Sequence, residues 1–237
     1  GMTLLEAQKW MRERNYFAAM MVNENQADAL VTGYTRSYPT VAKPMIDLIG
    51  KIKGIRKIAA TNLMLTEKGP LFLSDTAMNI NPNANKFAEI TRIMDKTMKM
   101  FGLVPHLAMV SFSNFGSSKS ESGTKMTEAV NYLHKYFPNI NVDGELQADF
   151  ALNGEMRNEK FPFSKLQGKK VNALIYPNLE SANISYKLLK EIHSADSIGP
   201  IIMGLQKPVH LIQLGASVDE IVNMVCIAVV DAQSRKK

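Results

Sequence analysis

Gly199-Pro-Ile-Ile-Met-Gly-Leu-Gln-Lys-Pro-Val-His-Leu-Ile-Gln-Leu-Gly-Ala-Ser-Val-Asp-Glu220 is the stretch whose reading decides the fold. An apolar run from Ile198 to Met203 is broken by Gly204. A turn region punctuated by Pro208 and Gly215 follows, and a long apolar helix then runs to about Gln233. The helix opens at Ser217 with Glu220 three residues on, the spacing of a capping box in which each side chain takes one orphan backbone N–H. Strand, loop and helix N-terminus in that order form the place where α/β proteins bind anions, because the first helical N–H groups point into the loop and the dipole favours negative charge.

The rest of the chain repeats the alternation. Thr3 to Asn15 and Tyr16 to Asn25 read as helices, and Ala29-Leu-Val-Thr-Gly33 as a buried parallel strand. Tyr34 to Pro39 is a loop, with Pro39 suited to the first turn of a helix to Ile49. Ile58 to Thr66 and Leu71 to Asp75 flank the turn signal Glu67-Lys-Gly-Pro70 and predict an antiparallel hairpin. Phe87, Ile90, Met94, Met98 and Phe101 form one helical stripe that Gly102 stops. Leu107 to Phe112 is a strand, Ser113 to Gly123 a hydroxyl-rich loop, and Met126, Val130, Leu133 and Phe137 share a helix face. Asn139 to Leu146 and Val171 to Tyr176 are further strands. Ala148 to Asn153 is a short helix, Phe161 to Gly168 irregular, and Leu179 to Ser194 a helix. Such alternation predicts a three-layer α/β/α fold with a mostly parallel sheet and crossover helices.

With 237 residues, 46% of them apolar, the chain can bury one or two real cores. It has no run of 18 uncharged apolar residues and no signal peptide, so a cytoplasmic protein is expected. Gly1-Met2 reads as the scar of a tag. The single cysteine, Cys226, lies in the apolar last helix; it argues for a reducing compartment and is expected to be a buried structural thiol. The net charge of +6 is dispersed apart from Lys51 to Lys57 and the tail, with no aromatic-plus-basic pattern for nucleic acid.

Five further stretches carry a resemblance together with the opening one: Tyr16-Phe-Ala-Ala-Met-Met, Asn79-Ile-Asn-Pro82, Met109-Val-Ser-Phe-Ser113, Val142-Asp-Gly-Glu-Leu-Gln-Ala-Asp149, and Pro177-Asn178 with Asn183-Ile184. In order and spacing these are similar to the phosphate acetyltransferase family over nearly the whole chain. Ser37-Tyr-Pro39 and Ser113-Asn-Phe-Gly-Ser-Ser118 followed by Lys125-Met126 resemble the acetyltransferase-like domain fused behind bacterial NADP-dependent malic enzymes. The resemblance implies a phosphate acetyltransferase-like fold with isocitrate/isopropylmalate dehydrogenase-like topology and its N-terminal half missing. Residues 1–35 would be a remnant of a first α/β subdomain, 36–197 a second, and 198–237 a return to the first. It also implies a homodimer or higher homo-oligomer and a regulatory domain that binds acetyl-CoA or a related phosphorylated small molecule without acetyl transfer. No G-x-G-x-x-G fingerprint is present, so NADP and a divalent metal would belong to a malic-enzyme part outside this chain.

Acetyl transfer between CoA and phosphate, the alternative activity, needs a base, cations for the phosphate and donors for the developing oxyanion. Where the family carries a serine-arginine pair before Gly215, this chain has Gln213-Leu214; the family's acid position holds Glu220. Gln213, Leu214 and Glu220 are therefore degenerate catalytic positions, Glu220 being explained equally well by capping. A second family arginine is replaced by Lys43, which keeps charge but loses the bidentate fork, and Arg36 is a nearby substitute. The expected ligand-binding set is Arg36, Ser37, Lys43, Ser113, Ser117, Ser118, Gly215 and Ser217. His210 lies near the loop; His106, His134 and His193 read as surface or satisfied core residues. Asp143, Glu145 and Asp149 could resemble a metal trio but suit structural roles, and no metal site is expected.

Overall fold

The computed structural model describes residues 3–193 and 196–236, which divide into two compact units, residues 3–58 with 198–236 and residues 59–197. In the first unit, α1 (Leu4–Trp10) and α2 (Arg14–Asn23) lead to strand β1 (Leu30–Gly33) and helix α3 (Tyr38–Ile49). The chain returns to this unit through β8 (Val209–Ile212) and α9 (Val218–Ser234). β1 and β8 pair in parallel, Leu30 opposite Val209 and Gly33 opposite Ile212. Helices α2, α3 and α9 pack on the pair, and α2 and α3 on each other, burying Ala19, Val22, Val41, Met45, Met224 and Ile227.

The second unit holds β2 (Ala59–Thr66), β3 (Gly69–Ser74), α4 (Ala84–Met100), β4 (Leu107–Val110), α5 (Glu121–Tyr136), β5 (Val142–Leu146), α6 (Ala148–Leu152), α7 (Gly154–Lys160), β6 (Ala173–Ile175) and α8 (Leu179–His193). The strand order is β5-β4-β6-β3-β2-β7, where β7 (Asp196–Met203) leaves the unit after Ser197. β2 and β3 form the expected antiparallel hairpin, while β3–β6, β6–β4 and β4–β5 are parallel. The two-residue alternation of strands sorts the core into two layers. Leu73, Ala108, Val110 and Leu174 share one face with Ala151, Ala182 and Tyr186. Phe72 faces the other way, its ring 5.9 Å from Phe101 at the end of α4. The predicted α4 stripe is buried, Phe87, Ile90, Met94 and Met98 each being worth about 1.5–3 kcal/mol. The result is the three-layer, mostly parallel architecture that the alternation implies.

Four expectations need correction, and one stretch left without an assignment is a helix. Residues 36–58 group with the first unit and not the second, because α3 packs on α2, β1 and β8. The helix expected from Thr3 to Asn15 breaks after Trp10, because the Glu13 carboxylate accepts the Asn15 and Tyr16 N–H groups at 2.9 and 3.1 Å and starts α2 afresh. Part of the turn region after Met203 is strand β8. Gly154–Lys160 is a helix without an apolar stripe. Cys226 is exposed, since α9 turns Met224, Ile227, Ala228 and Asp231 inward and leaves Cys226 outside with Val222, Val225 and Val229. No helix among the described residues is long and apolar enough to cross a membrane.

Candidate functional site

The parallel register of β1 and β8 sends the loops that follow them out at the same end of the pair. One loop, Tyr34 to Ser37, leads into α3; the other, Gln213 to Ser217, leads into α9. Gly33 makes the close pairing possible: its φ is +124°, and a Cβ there would lie 2.2 Å from the Ile212 carbonyl oxygen. Of the expected ligand-binding residues, Arg36, Ser37, Gly215 and Ser217 therefore come together at one strand end, with Lys43 in the following helix. Ser113, Ser117 and Ser118 lie in the other unit.

The polar groups of the first cluster are engaged locally. Arg36 Nη1 lies 2.6 Å from Glu13 Oε1 in a half-exposed ion pair, and Arg14 donates to Thr35 Oγ1 at 2.6 Å. The Ser37 and Thr40 hydroxyls are 2.7 Å apart. Exposed Lys43 pairs with Asp47 at 2.6 Å, a hydrogen bond that raises the lysine pKa. In the second loop Gln213 is exposed and Leu214 is 73% exposed. The capping box is realised: Ser217 N–H donates to Glu220 Oε2 at 2.7 Å, and Glu220 N–H donates to Ser217 Oγ at 3.1 Å. Glu220 is thus committed to its own helix, as the capping reading holds. By contrast Ser37, which precedes α3, makes no side-chain cap bond.

Beneath this end, His210 is 1% exposed and its Nε2 lies 3.2 Å from Asp231 Oδ2. The contact is misaligned for a hydrogen bond, and among the described residues neither ring nitrogen has a hydrogen-bond partner. Asp231 is gripped by Arg235 through contacts of 2.6 and 3.1 Å, and Arg235 also donates to the Leu205 and Gln206 carbonyls. Burial pushes the Asp231 carboxyl up, but His210 and Arg235 outweigh it and hold the pKa below the ordinary value. His210 is an interior residue of β8 whose Nε2 faces the Asp231 carboxylate of α9.

The hydroxyl-rich loop of the second unit is organised by Glu145, whose role the sequence reading left as merely structural. Ser113 Oγ and Gly116 N–H both donate to Glu145 Oε1 at 2.8 Å, and Thr127 donates to Oε2. Ser117 Oγ accepts from Asn114 N–H, leaving Ser118 exposed at the tip. Asn114 and Gln147 exchange two bonds of 2.8 Å across the loop base. Asp143 accepts from Ser164 Oγ and Lys165 N–H, and Asp149 accepts from its neighbour Phe150 N–H. The acidic trio is therefore spent on backbone and hydroxyl donors. The one signal for this was an acid inside an otherwise apolar strand, which must be hydrogen-bonded to be buried.

Burial would raise the Glu145 carboxyl, but its hydrogen bonds from Thr127, Gly116 and Ser113 prevail and keep its pKa below the ordinary glutamate value. A lowered folded pKa gives stability that is complete above the unfolded value and disappears as pH falls through the folded one. Glu145→Gln should therefore destabilise the protein by about 1.5–3 kcal/mol at pH 7. In urea titrations at stepped pH, the gap between variant and parent should narrow below about pH 4.5. A gap independent of pH would mean that the carboxylate charge is not what anchors the loop.

The profile described as Phosphate acetyl/butaryl transferase matches residues 1–229. An NADP-dependent malic enzyme of Escherichia coli (strain K12) is 38% identical over 237 residues, and a phosphate acetyltransferase of Clostridium acetobutylicum is 35% identical over 240. The match covers 99% of this chain and 31% of the malic enzyme, but 98% and 72% for the acetyltransferase, so the chain spans under a third of the malic enzymes' length. A crystal structure of a phosphotransacetylase from Streptococcus pyogenes superposes with a TM-score of 0.91 at 34% identity, covering 99% of this chain and 71% of that one. Matched along nearly its whole length in sequence and in fold, the chain belongs to the phosphate acetyl/butaryl transferase family.

Proposed function

We propose that this chain is a regulatory, non-catalytic acetyl-CoA-binding domain of an NADP-dependent malic enzyme. The oxidative decarboxylation of malate, with its NADP and divalent metal, would be carried out by a part outside this chain, and the whole would work as a homo-oligomer. The observation that carries the reading is the loop after β8: its frame of Gly215 and capped α9 is intact, yet Gln213 and the largely exposed Leu214 offer no cation. Losing a charge-assisted contact to the reacting group costs roughly a hundredfold or more in rate, and Glu220 is held by its own helix start. What survives is suited to holding a phosphorylated ligand: Arg36, the uncapped α3 start behind Ser37, and a glycine turn. Regulation would follow if acetyl-CoA bound one conformation of the whole enzyme better than another, a difference commonly worth about 1–3 kcal/mol. The similarity to phosphate acetyltransferases, of which the chain spans about 72%, favours active acetyl transfer as the second reading.

Calorimetry and a coupled assay separate the two. Acetyl-CoA should release heat on binding, and acetyl phosphate plus CoA should give no turnover above background. Turnover would overturn the regulatory reading in favour of the transferase, and absence of both heat and thermal shift would leave only an assembly role. Arg36→Ala should weaken acetyl-CoA binding about tenfold, the worth of one charge-assisted phosphate contact; unchanged affinity would move the ligand away from the strand end.

A further inference from the structure

Beside the open edge of the second unit's sheet lies a cleft of about 330 Å³ between α5 and the segment that carries Phe163 and Lys165. The size is at the lower end of small-molecule pockets. Phe163 is 68% exposed, an unusual position for a ring that also belongs to a cluster: it sits 4.9 Å from Phe115, edge to face, and 6.0 Å from Phe161. Phe115 adopts φ +45°, a left-handed conformation costly for a bulky side chain. The conformation is imposed by Glu145, whose carbonyl accepts Phe115 N–H and whose carboxylate accepts Gly116 N–H, each at 2.8 Å. Asp143 fixes the opposite wall through Ser164 Oγ and Lys165 N–H, at 2.8 and 2.7 Å. Both walls are thus built by buried carboxylates, and together they present an aromatic surface to solvent.

The polar groups around that surface have a definite character. His134 Nε2 lies 2.8 Å from the Val142 carbonyl, which can only accept, and 4.0 Å from Asp143 Oδ1, so Nε2 carries a proton and Nδ1 is the nitrogen able to accept. Asn131 adds an exposed amide that can both donate and accept. The Lys165 ammonium has no ion-pair partner among the described residues. An aromatic platform, an acceptor, an amide and a cation match a planar base with an exocyclic amine and a phosphate. An aromatic carboxylate would leave the acceptor nitrogen of His134 without a donor.

We propose that this cleft binds a nucleotide whose base carries an exocyclic amine, an adenine nucleotide being the fitting class. The base stacks on Phe163, its amine donates to His134 Nδ1, Asn131 completes the edge, and the phosphate meets Lys165. The inference stands apart from the acetyl-CoA reading, because its residues lie wholly within the second unit. The ligand can be a free nucleotide or the nucleotide end of a CoA ester, which share this chemistry.

Calorimetric titration with AMP, adenosine and ribose 5-phosphate tests it. AMP should bind more tightly than either fragment. Phe163→Ala should weaken AMP and adenosine at least about tenfold, the usual worth of base stacking on an aromatic ring; the exposed side chain makes folding of the variant safe to expect. Lys165→Ala should weaken AMP several-fold and leave adenosine unchanged. Acetyl-CoA that displaces AMP would identify the CoA nucleotide as the occupant, and acetyl-CoA that leaves AMP in place would identify a free nucleotide. No AMP binding at millimolar concentration, or equal binding in folded Phe163→Ala, would overturn the proposal, whatever the outcome for acetyl-CoA at Arg36.

Discussion

Arg157→Met is expected to destabilise the protein by about 3–5 kcal/mol. Arg157 is 1% exposed, and its guanidinium donates to the carbonyls of Ala151 at 2.7 Å, Leu166 at 3.0 Å and Lys169 at 2.5 Å, with a longer contact to Phe150. It therefore ties α6 to the segment beyond α7, beside the apolar packing that Ala151 and Leu166 share in the core. Methionine fills much of the same volume but offers no donor, so the Ala151 and Lys169 carbonyls would lose the guanidinium and Leu166 would keep only the Lys169 N–H, each loss costing about 1–3 kcal/mol before relaxation. Burial lowers the guanidinium pKa and Asp143 opposes that, but an arginine stays charged in either case. Arg157→Lys should recover only part of the stability, since three donors on a flexible stem cannot reproduce a planar fork. Urea unfolding at pH 7 checks both variants; a loss below about 1 kcal/mol for Arg157→Met would show that the carbonyls find other donors.

Gly33→Ala should be comparably severe, at about 3–5 kcal/mol, for a different reason. The added methyl would sit 2.2 Å from the Ile212 carbonyl oxygen, which belongs to the partner strand and cannot swing aside as a side chain would. The φ of +124° is also one that alanine rarely adopts. Either β1 parts from β8 or Gly33 leaves its conformation, and both outcomes disturb the loops carrying Arg36 and Leu214. Hydrogen exchange locates the damage. Amides of Leu30–Gly33 and Val209–Ile212 should lose protection while those of β4 and β5 keep it. Uniform loss across both units would mean that the two unfold as one. The matching glycine of the second unit, Gly144, faces the Met109 carbonyl at 2.5 Å for an added Cβ, so Gly144→Ala gives the reciprocal control.

Most elements were legible because their apolar spacing is strong. The α4 stripe and the β2–β3 hairpin around Glu67-Lys68 needed no tertiary information. The misses share a cause. Strand β8 is four residues long, flanked by Pro208 and Gly215, with His210 at its second position; only Asp231 and Arg235, far along the chain, explain why a histidine can be buried there. Helix α7 reads Gly-Glu-Met-Arg-Asn-Glu-Lys and has no stripe, because it is anchored by one buried guanidinium. Cys226 was misplaced because α9 is apolar nearly all round, and periodicity cannot choose which side faces inward. At the candidate site, the capping box and the lack of cations at Gln213 and Leu214 were visible in the sequence. The engagement of Arg36 with Glu13, and of Ser113 with Glu145, was not, since each joins residues more than twenty positions apart.

The parallel pairing of β1 with β8 joins residues near position 30 to residues near position 210. During synthesis the contiguous stretch 59–197 is complete, and can collapse as a domain, before β8 has been made. The strand end that carries Arg36 acquires its neighbour Gly215 only when the residues after 197 emerge, and closing so long a loop is slow. A ribosome that stalls, or a protease that trims α9, would leave a well-folded sheet without the loop that follows β8. In such a chain the geometry of the β1–β8 strand end is the last feature gained in biogenesis and the first lost to truncation.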